Sequence, residues 1–324
     1  MPIQIKIADT PALLDELYKV RHEVFCTEEG LFPARPDGRV FDRFDAYPTS
    51  TNLVAVIDDV VIGGMRIILD SDVGLHADDY YDYGPLIPAD AVRASSGHFC
   101  ILKQYRSSQV ANALILMACY YGCSQNTDWV LAPVNPLIGR MLGRIGFKKV
   151  GDSFEVPGIT VKVLPMLLDV RDLQDIFIDF LHQNNLYNFL QSYECHIFNP
   201  DETIIRAGDV GDMAYIILEG EVKVLHPGDN SVLAVLGQGD IVGELAIFMD
   251  DVRTANVVAT SPVRAMTLHK DTFLEFLRTN PDEALNQLKL LGRRMKAMVA
   301  SYGCPQSGAQ TMLPDQNRFS SRSI

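Results

Sequence analysis

Near Asp169 the chain changes its pattern, and that change limits the fold more than any other feature. From Cys195 to Leu268 short apolar runs are cut by glycine turns at even spacing: Arg206-Ala207-Gly208-Asp209, Glu219-Gly220, His226-Pro227-Gly228 and Gly237-Gln238-Gly239-Asp240. Such spacing predicts an all-β unit, because glycine supplies the backbone angles that tight turns need. Residues 1–170 instead alternate strand and helix patterns. Ile3, Ile5 and Ile7 alternate as a strand, and Leu13, Leu14, Leu17, Val20, Val24 and Phe25 recur at helical spacing. Residues 53–57 and 60–68 read as a hairpin across Asp58-Asp59, and residues 99–102, 129–132 and 161–168 as further strands. Residues 110–123 and 136–144 read as helices, and 70–97 as a long irregular connection. The expected architecture is α/β with one mixed sheet over 1–170, then a β-roll with flanking helices over 171–300, then a polar tail over 301–324. Residues 172–192 and 271–300 read as those helices.

One segment of the β half has the parts of an anion and sugar site. Val242-Gly243-Glu244-Leu245-Ala246 is followed by Arg253-Thr254-Ala255. An arginine offers a fork of donors to a phosphate diester, and a carboxylate accepts from a ribose hydroxyl. Glycine and small residues let helix-start N–H groups approach the anion. The run GELAIFMDDVRTA over 243–255 resembles the phosphate-binding cassette of cyclic-nucleotide-binding domains, and residues 208–222 and 236–241 resemble the β-roll of that family. The resemblance implies that cAMP, or cGMP, is held with Glu244 on the ribose and Arg253 on the cyclic phosphate. Thr254 offers a hydroxyl near the phosphate, and cAMP is the expected ligand.

The first half carries Arg21-His22-Glu23-Val24-Phe25, Phe41-Asp42-Arg43-Phe44-Asp45 and Ile62-Gly63-Gly64-Met65-Arg66. In this order the motifs resemble the R-x-x-V-F, D-x-x-D and G-x-x-R pattern of GNAT-fold acyltransferases, in the autoinducer-synthase and N-acyl amino acid synthase branch. The resemblance implies acyl transfer from acyl-coenzyme A or acyl-carrier protein to an amine, with an amino acid as one candidate acceptor. Residues 104–111 then stand where the donor's pyrophosphate is cradled, so Leu102, Arg106, Ser107, Ser108, Gln109, Val110 and Ala111 are donor-site candidates. The strand at Phe99, Cys100 and Ile101 would supply a backbone donor to the thioester carbonyl, and Asn135 opens the next motif. Arg21, Asp42, Asp45 and Arg66 are expected as a charge cluster for an acceptor bearing both ammonium and carboxylate, or as a brace of the first helix. His98 is the candidate base, since imidazole titrates near working pH.

Charge and cysteine usage narrow the remaining classes. With 28 Lys and Arg against 41 Asp and Glu the net charge is -13, which opposes nonspecific binding to nucleic acid. No run approaches the ~18 apolar residues of a membrane span, and the first residues lack the pattern of a signal peptide. The six cysteines form no CxxC pair and no zinc-ligand spacing, so no metal and a reducing, cytoplasmic setting are expected. The residues after Leu291 are polar and Pro-containing, so no helix-turn-helix is expected. A second function class stays open: a cyclic-nucleotide sensor whose first half is a docking module. Pairing with a second copy through the last helix is a further expectation.

Overall fold

The computed structural model describes residues 2–173, 194–249 and 251–282, and residues 284, 285, 288, 289, 291 and 292. Strand β1 (Ile3–Ile7) leads into helix α1 (Pro11–His22), capped by Thr10. The helix runs on as a π-helical stretch (Glu23–Glu28), which turns Val24 and Phe25 into the core. A 3-10 turn (Arg43–Ala46) precedes the hairpin β2 (Ser50–Ile57) and β3 (Val60–Leu69). Asp58 and Asp59 both take positive φ in that turn, which suits their short polar side chains. After two more 3-10 turns come β4 (Arg93–Ile101), α2 (Ser108–Ser124), β5 (Trp129–Val134), α3 (Pro136–Ile145), β6 (Lys148–Lys149) and β7 (Leu164–Asp169).

Strand β4 begins six residues before the run 99–102 that apolar character alone picks out. Ala94, Ser95 and Ser96 are buried within it, but they are small and partly polar, so they leave no apolar signature. The connection is correspondingly shorter than 70–97. Strand β6 and the 3-10 turns are additions to the sequence pattern.

The β half contributes β8 (Cys195–Phe198), β9 (Thr203–Ile205), β10 (Met213–Glu219), β11 (Val222–Leu225), β12 (Val232–Leu236), β13 (Ile241–Val242), the short helix α4 (Glu244–Met249), β14 (Asn256–Ala259), β15 (Val263–His269) and α5 (Lys270–Thr279). Strands β9, β11, β12 and β14 form a four-stranded sheet. The other four join the first half. An eleven-stranded sheet runs β13-β10-β15-β8-β1-β2-β3-β4-β5-β7-β6. The seam is β1 against β8, antiparallel, with Ile3, Gln4 and Ile5 opposite Ile197, His196 and Cys195. Met1–Thr279 therefore cluster as one compact unit, and Asn280–Ile324 as a second. Of the helix read over 172–192, Asp172 ends a 3-10 turn (Val170–Asp172) and residues 174–192 lie outside the described residues, as do Met295 and Met298 of the last helix and the tail.

Candidate functional site

Two buried arginines organise the first half. Arg21 of α1 and Arg66 of β3 are both 0% exposed. Arg21 Nη1 donates to both oxygens of Asp45 at 3.0 and 3.1 Å, and Nη2 donates to Asn52 Oδ1. Arg66 Nη1 donates to Asp42 Oδ1 at 2.6 Å and to Asp45 Oδ2 at 2.8 Å, and its Nη2 to Asp42 Oδ2 at 2.8 Å. The two aspartates are presented by a capping box: Asp42 Oδ1 accepts from Phe44 N, and Asp45 Oδ2 from Asp42 N. A planar guanidinium suits such shared bidentate contacts. Burial alone would raise the Asp42 carboxyl, but the hydrogen bonds and charge of Arg66 outweigh it and hold it below the ordinary range. Arg21, Asp45 and Arg66 are thus sealed beneath the surface. Asp42, 30% exposed, lines a cavity.

Strands β4 and β5 run parallel, but their ladder stops at the pair Ser95–Leu131. Beyond it the strands part. On the other edge of β4 the register with β3 shifts between Gly64 and Arg66, and His98 there takes φ +49°. A bulge re-aims the side chain it carries. Into the wedge opens a cavity of about 560 Å³, lined by β4 from Gly97 to Ile101, by Pro133, Val134 and Asn135, and by Arg106, Ser107, Ser108 and Ala111 at the start of α2. Its remaining walls are mostly apolar, among them Phe25, Leu31, Phe32, Ile138 and Met141. The α2 N-terminus, where Ser107 Oγ accepts from Val110 N, faces the cavity with its positive end. Of the predicted donor-site residues, Leu102, Gln109 and Val110 do not line it, and Val110 packs in the core.

Arg106 is less free than its place in the motif implies. Its Nε donates to Ile101 O at 2.9 Å, and its Nη2 lies 2.7 Å from Glu28 Oε2 and 2.9 Å from Glu29 Oε1. Burial pushes the Cys100 thiol up to about 11, so it is no thiolate at neutral pH.

A second cavity of about 570 Å³ adjoins the first and is charged, with Arg35, Asp42, Arg43 and Asp79 in its lining. Phe32, His76, Tyr80 and His98 line both cavities. His76 and His98 each place Nε2 3.8 Å from Asp42 Oδ2, with ring centres 5.5 Å apart. Burial, and next the Arg66 charge, lower His76 to about 4. Burial and the charges of Arg21 and Arg66 hold His98 well below its ordinary value. His76 and Tyr80 were not foreseen. They lie in a stretch with no periodic pattern, and their i,i+4 spacing was the one available signal.

In the β half the cassette residues converge. Gly243 takes φ +87° and starts α4, whose first residue Glu244 is buried. A Cβ at Gly243 would fall 2.9 Å from Arg253 Nη1, so the glycine is what lets the guanidinium in. Arg253 is buried, donating from Nη1 to Gly243 O at 2.8 Å and from Nη2 to Met213 O. Burial lowers its pKa from the ordinary value. Val242 and Ala246 are buried beneath, Ala255 is half-buried, and Leu245 and Thr254 are exposed. Among the described residues no group of three or more His, Cys, Asp or Glu is arranged to hold a metal, and no helix is long and apolar enough to cross a membrane.

Comparison with known proteins divides the chain at the same place. Residues 16–169 match the family described as N-acyl amino acid synthase FeeM, and residues 195–280 the cyclic nucleotide-binding domain. Over 122 residues the chain is 32% identical to a cAMP-dependent protein kinase regulatory subunit of Yarrowia lipolytica, covering 35% of this chain and 32% of that protein. Over 102 residues it is 30% identical to a CRP-like cAMP-activated global transcriptional regulator of Mycobacterium tuberculosis, covering 31% and 46%. The chain thus spans less than half the length of these curated relatives. The solved structure of FeeM, an N-acyl amino acid synthase from uncultured soil microbes, aligns at 18% identity and a TM-score of 0.47, over 56% of this chain and 100% of that one.

Proposed function

From a chain that joins an N-acyl amino acid synthase domain of the FeeM type, residues 16–169, to a cyclic nucleotide-binding domain, residues 195–280, we propose an N-acyltransferase whose activity is set by a cyclic nucleotide. One observation carries the reading. A mostly apolar cavity that reaches a helix N-terminus and a charged cavity meet at a wall of His76, Tyr80 and His98. The acyl chain fills the first, and its thioester lies along the parted edge of β4, whose backbone N–H groups steady the developing oxyanion. The acceptor occupies the second, its ammonium at the wall that the two cavities share and its carboxylate toward Arg35 or Arg43, which fits an amino acid. A neutral imidazole in the wall takes the amine's proton.

Glu28 and Glu29 beside Arg106 bear on the carrier. They repel a pyrophosphate, which favours acyl-carrier protein over coenzyme A as the donor. In the second domain Glu244 accepts from the ribose hydroxyl and Arg253 holds the cyclic phosphate. The cAMP named in the two relatives favours cAMP over cGMP.

Control by the nucleotide has a route at the seam. Arg253 is tied to Met213, which pairs with His269. His269 Nε2 lies 3.1 Å from Glu194 Oε2, and Glu194 Oε1 accepts from Gln4 of β1. Strand β1 pairs in turn with β2, which carries Asn52 of the buried cluster. A phosphate competing for Arg253 would release Met213 O and load this chain of contacts. Pairing of two copies through Leu285, Leu288 and Leu291 also belongs to the reading, and light scattering checks it.

The deciding experiment offers the purified protein dodecanoyl thioesters of coenzyme A, acyl-carrier protein and N-acetylcysteamine, with the twenty amino acids, with and without cAMP. Mass spectrometry should find an N-dodecanoyl amino acid at a rate that depends on cAMP. No acylated product from any donor, with cAMP binding intact, would leave the sensor reading instead.

A further inference from the structure

Acyl transfer to an amine needs an atom that removes a proton from the acceptor's ammonium, and the sequence offers His98 for it by its place on the donor strand. His76 stands on the 3-10 turn His76–Asp79, in the wall that both cavities share. Its ring is fixed on several sides. Nε2 lies 3.3 Å from Tyr80 Oη and 3.8 Å from Asp42 Oδ2, and the ring meets Phe44 edge-on at 5.7 Å. Asp42 lies beyond hydrogen-bond reach, but its negative charge beside Nε2 favours the ring proton there, with Tyr80 Oη as the acceptor, and leaves the lone pair on Nδ1. That Nδ1 is buried and has no hydrogen-bond partner among the described residues. It faces Gly97 of β4: a Cβ built there would lie 3.8 Å from it, and Gly97 lines the apolar cavity. The lone pair therefore points at Gly97 of β4, the strand along which the thioester lies.

We propose that His76 is a catalytic residue of the transfer, its Nδ1 taking a proton from the acceptor ammonium while Asp42 and Tyr80 hold the ring in the required tautomer. The inference rests on the acyl-transfer reading and deepens it. The N–H bond breaks with its electron pair left on nitrogen, and that pair attacks the thioester carbonyl. The C–S bond then breaks with its pair going to sulfur, and the thiolate takes a second proton from the same nitrogen. The amide keeps the third, and His76 returns its proton to water. The charged and titratable groups around His76 are Arg66, Asp42, Asp79 and Asp45, with Tyr80 and His98 beside it. Burial and Arg66 keep the imidazole neutral at pH 7, so proton removal from the ammonium runs uphill and is drawn on by the attack that follows. His98 also has an unpartnered buried Nδ1, but its side chain is 9% exposed against 17% for His76 and its ring packs by Phe25.

The test compares His76→Asn and His98→Asn in the full chain, with the dodecanoyl thioesters and amino acids described above. In His76→Asn transfer should slow by roughly 10²- to 10⁴-fold at pH 7 with little change in donor KM. The deficit should shrink as pH rises toward the acceptor's own ammonium pKa, where the amine arrives already deprotonated. In His98→Asn no such pH-dependent recovery should appear. A His76→Asn deficit that is absent, or the same at every pH, overturns the inference and leaves acyl transfer standing. A wild type that forms no product fails the acyl-transfer reading itself, and the inference with it. Nitrogen NMR of the His76 ring gives a second readout that needs no turnover: at pH 7 Nε2 should be protonated and Nδ1 bare. A proton on Nδ1 at that pH overturns the assignment whatever the rates are.

Discussion

At the scale of single residues, the chain is built around charges whose partners are fixed. Arg253 sits buried between two carbonyl oxygens, at the start of the short helix that Glu244 opens. We expect cAMP binding at low micromolar affinity, on the order of 8 kcal/mol. Arg253→Ala should weaken it by about 2–5 kcal/mol, because the desolvated phosphate loses its charged partner. Calorimetry giving equal affinities for the variant and the wild type would remove the assignment. Asp45 makes the mirror case. It contacts both fully buried guanidiniums, so Asp45→Ala leaves Arg21 without its carboxylate and should cost about 3–5 kcal/mol in urea unfolding. His76 adds a pH signature. Its native pKa of about 4 lies below the ordinary 6.5, so the unfolded chain takes up a proton that the folded chain refuses. The stability it contributes is complete above pH 6.5 and is lost as pH falls from there to about 4. Melting curves across that window should slope more gently for His76→Asn than for wild type.

At the scale of elements, the site depends on where regular structure stops. The parallel ladder between β4 and β5 ends at Ser95–Leu131, and the wedge beyond it is the apolar cavity. Helix α2 begins at the mouth of the wedge, with Ser107 as its cap. An acyl thioester bound there should protect the amides of residues 102–115 from hydrogen exchange. If coenzyme A, acyl-coenzyme A and acyl-carrier protein all leave that segment unprotected, the helix start is no donor site. Most of these elements were legible in the sequence, because α1, α2, β2 and β3 carry unbroken apolar periodicity. The first half of β4 was not. Ser95 and Ser96 are buried by neighbours distant in the chain, and hydropathy does not register burial imposed from outside. The 3-10 turn that presents His76 is equally silent, since a four-residue element is too short to show a period.

At the scale of the molecule, the seam between β1 and β8 makes one eleven-stranded sheet out of two sequence patterns. Gln4, Glu194 and His269 cross it in hydrogen-bond contact. If this is the route of control, cAMP measured at zero and at saturating acyl donor should show two affinities, and the donor must show the same ratio with and without cAMP. Glu194→Ala should bring both ratios toward one while each ligand still binds. Identical cAMP affinities in the wild type, with a transfer rate indifferent to cAMP, would mean that the halves share a sheet without sharing a switch.

The sequence by itself determined the local chemistry: an acyltransferase-like order of R-x-x-V-F, D-x-x-D and G-x-x-R, and the glutamate and arginine of a phosphate cassette nine residues apart at 244 and 253. It could do so because each motif is a short run whose residues and order resemble those of a known family. Tertiary structure alone decided the rest. It buried Arg21 and Arg66 and left Asp42 as the face of their cluster, it tied Arg106 to Glu28 and Glu29, and it brought His76 beside His98. It also placed β8 on the open edge of β1, with Gln4 opposite His196, a pairing that backbone hydrogen bonds make without regard to side chain. Contacts of that kind leave no pattern in either strand, because their partner is chosen by the folded geometry around them.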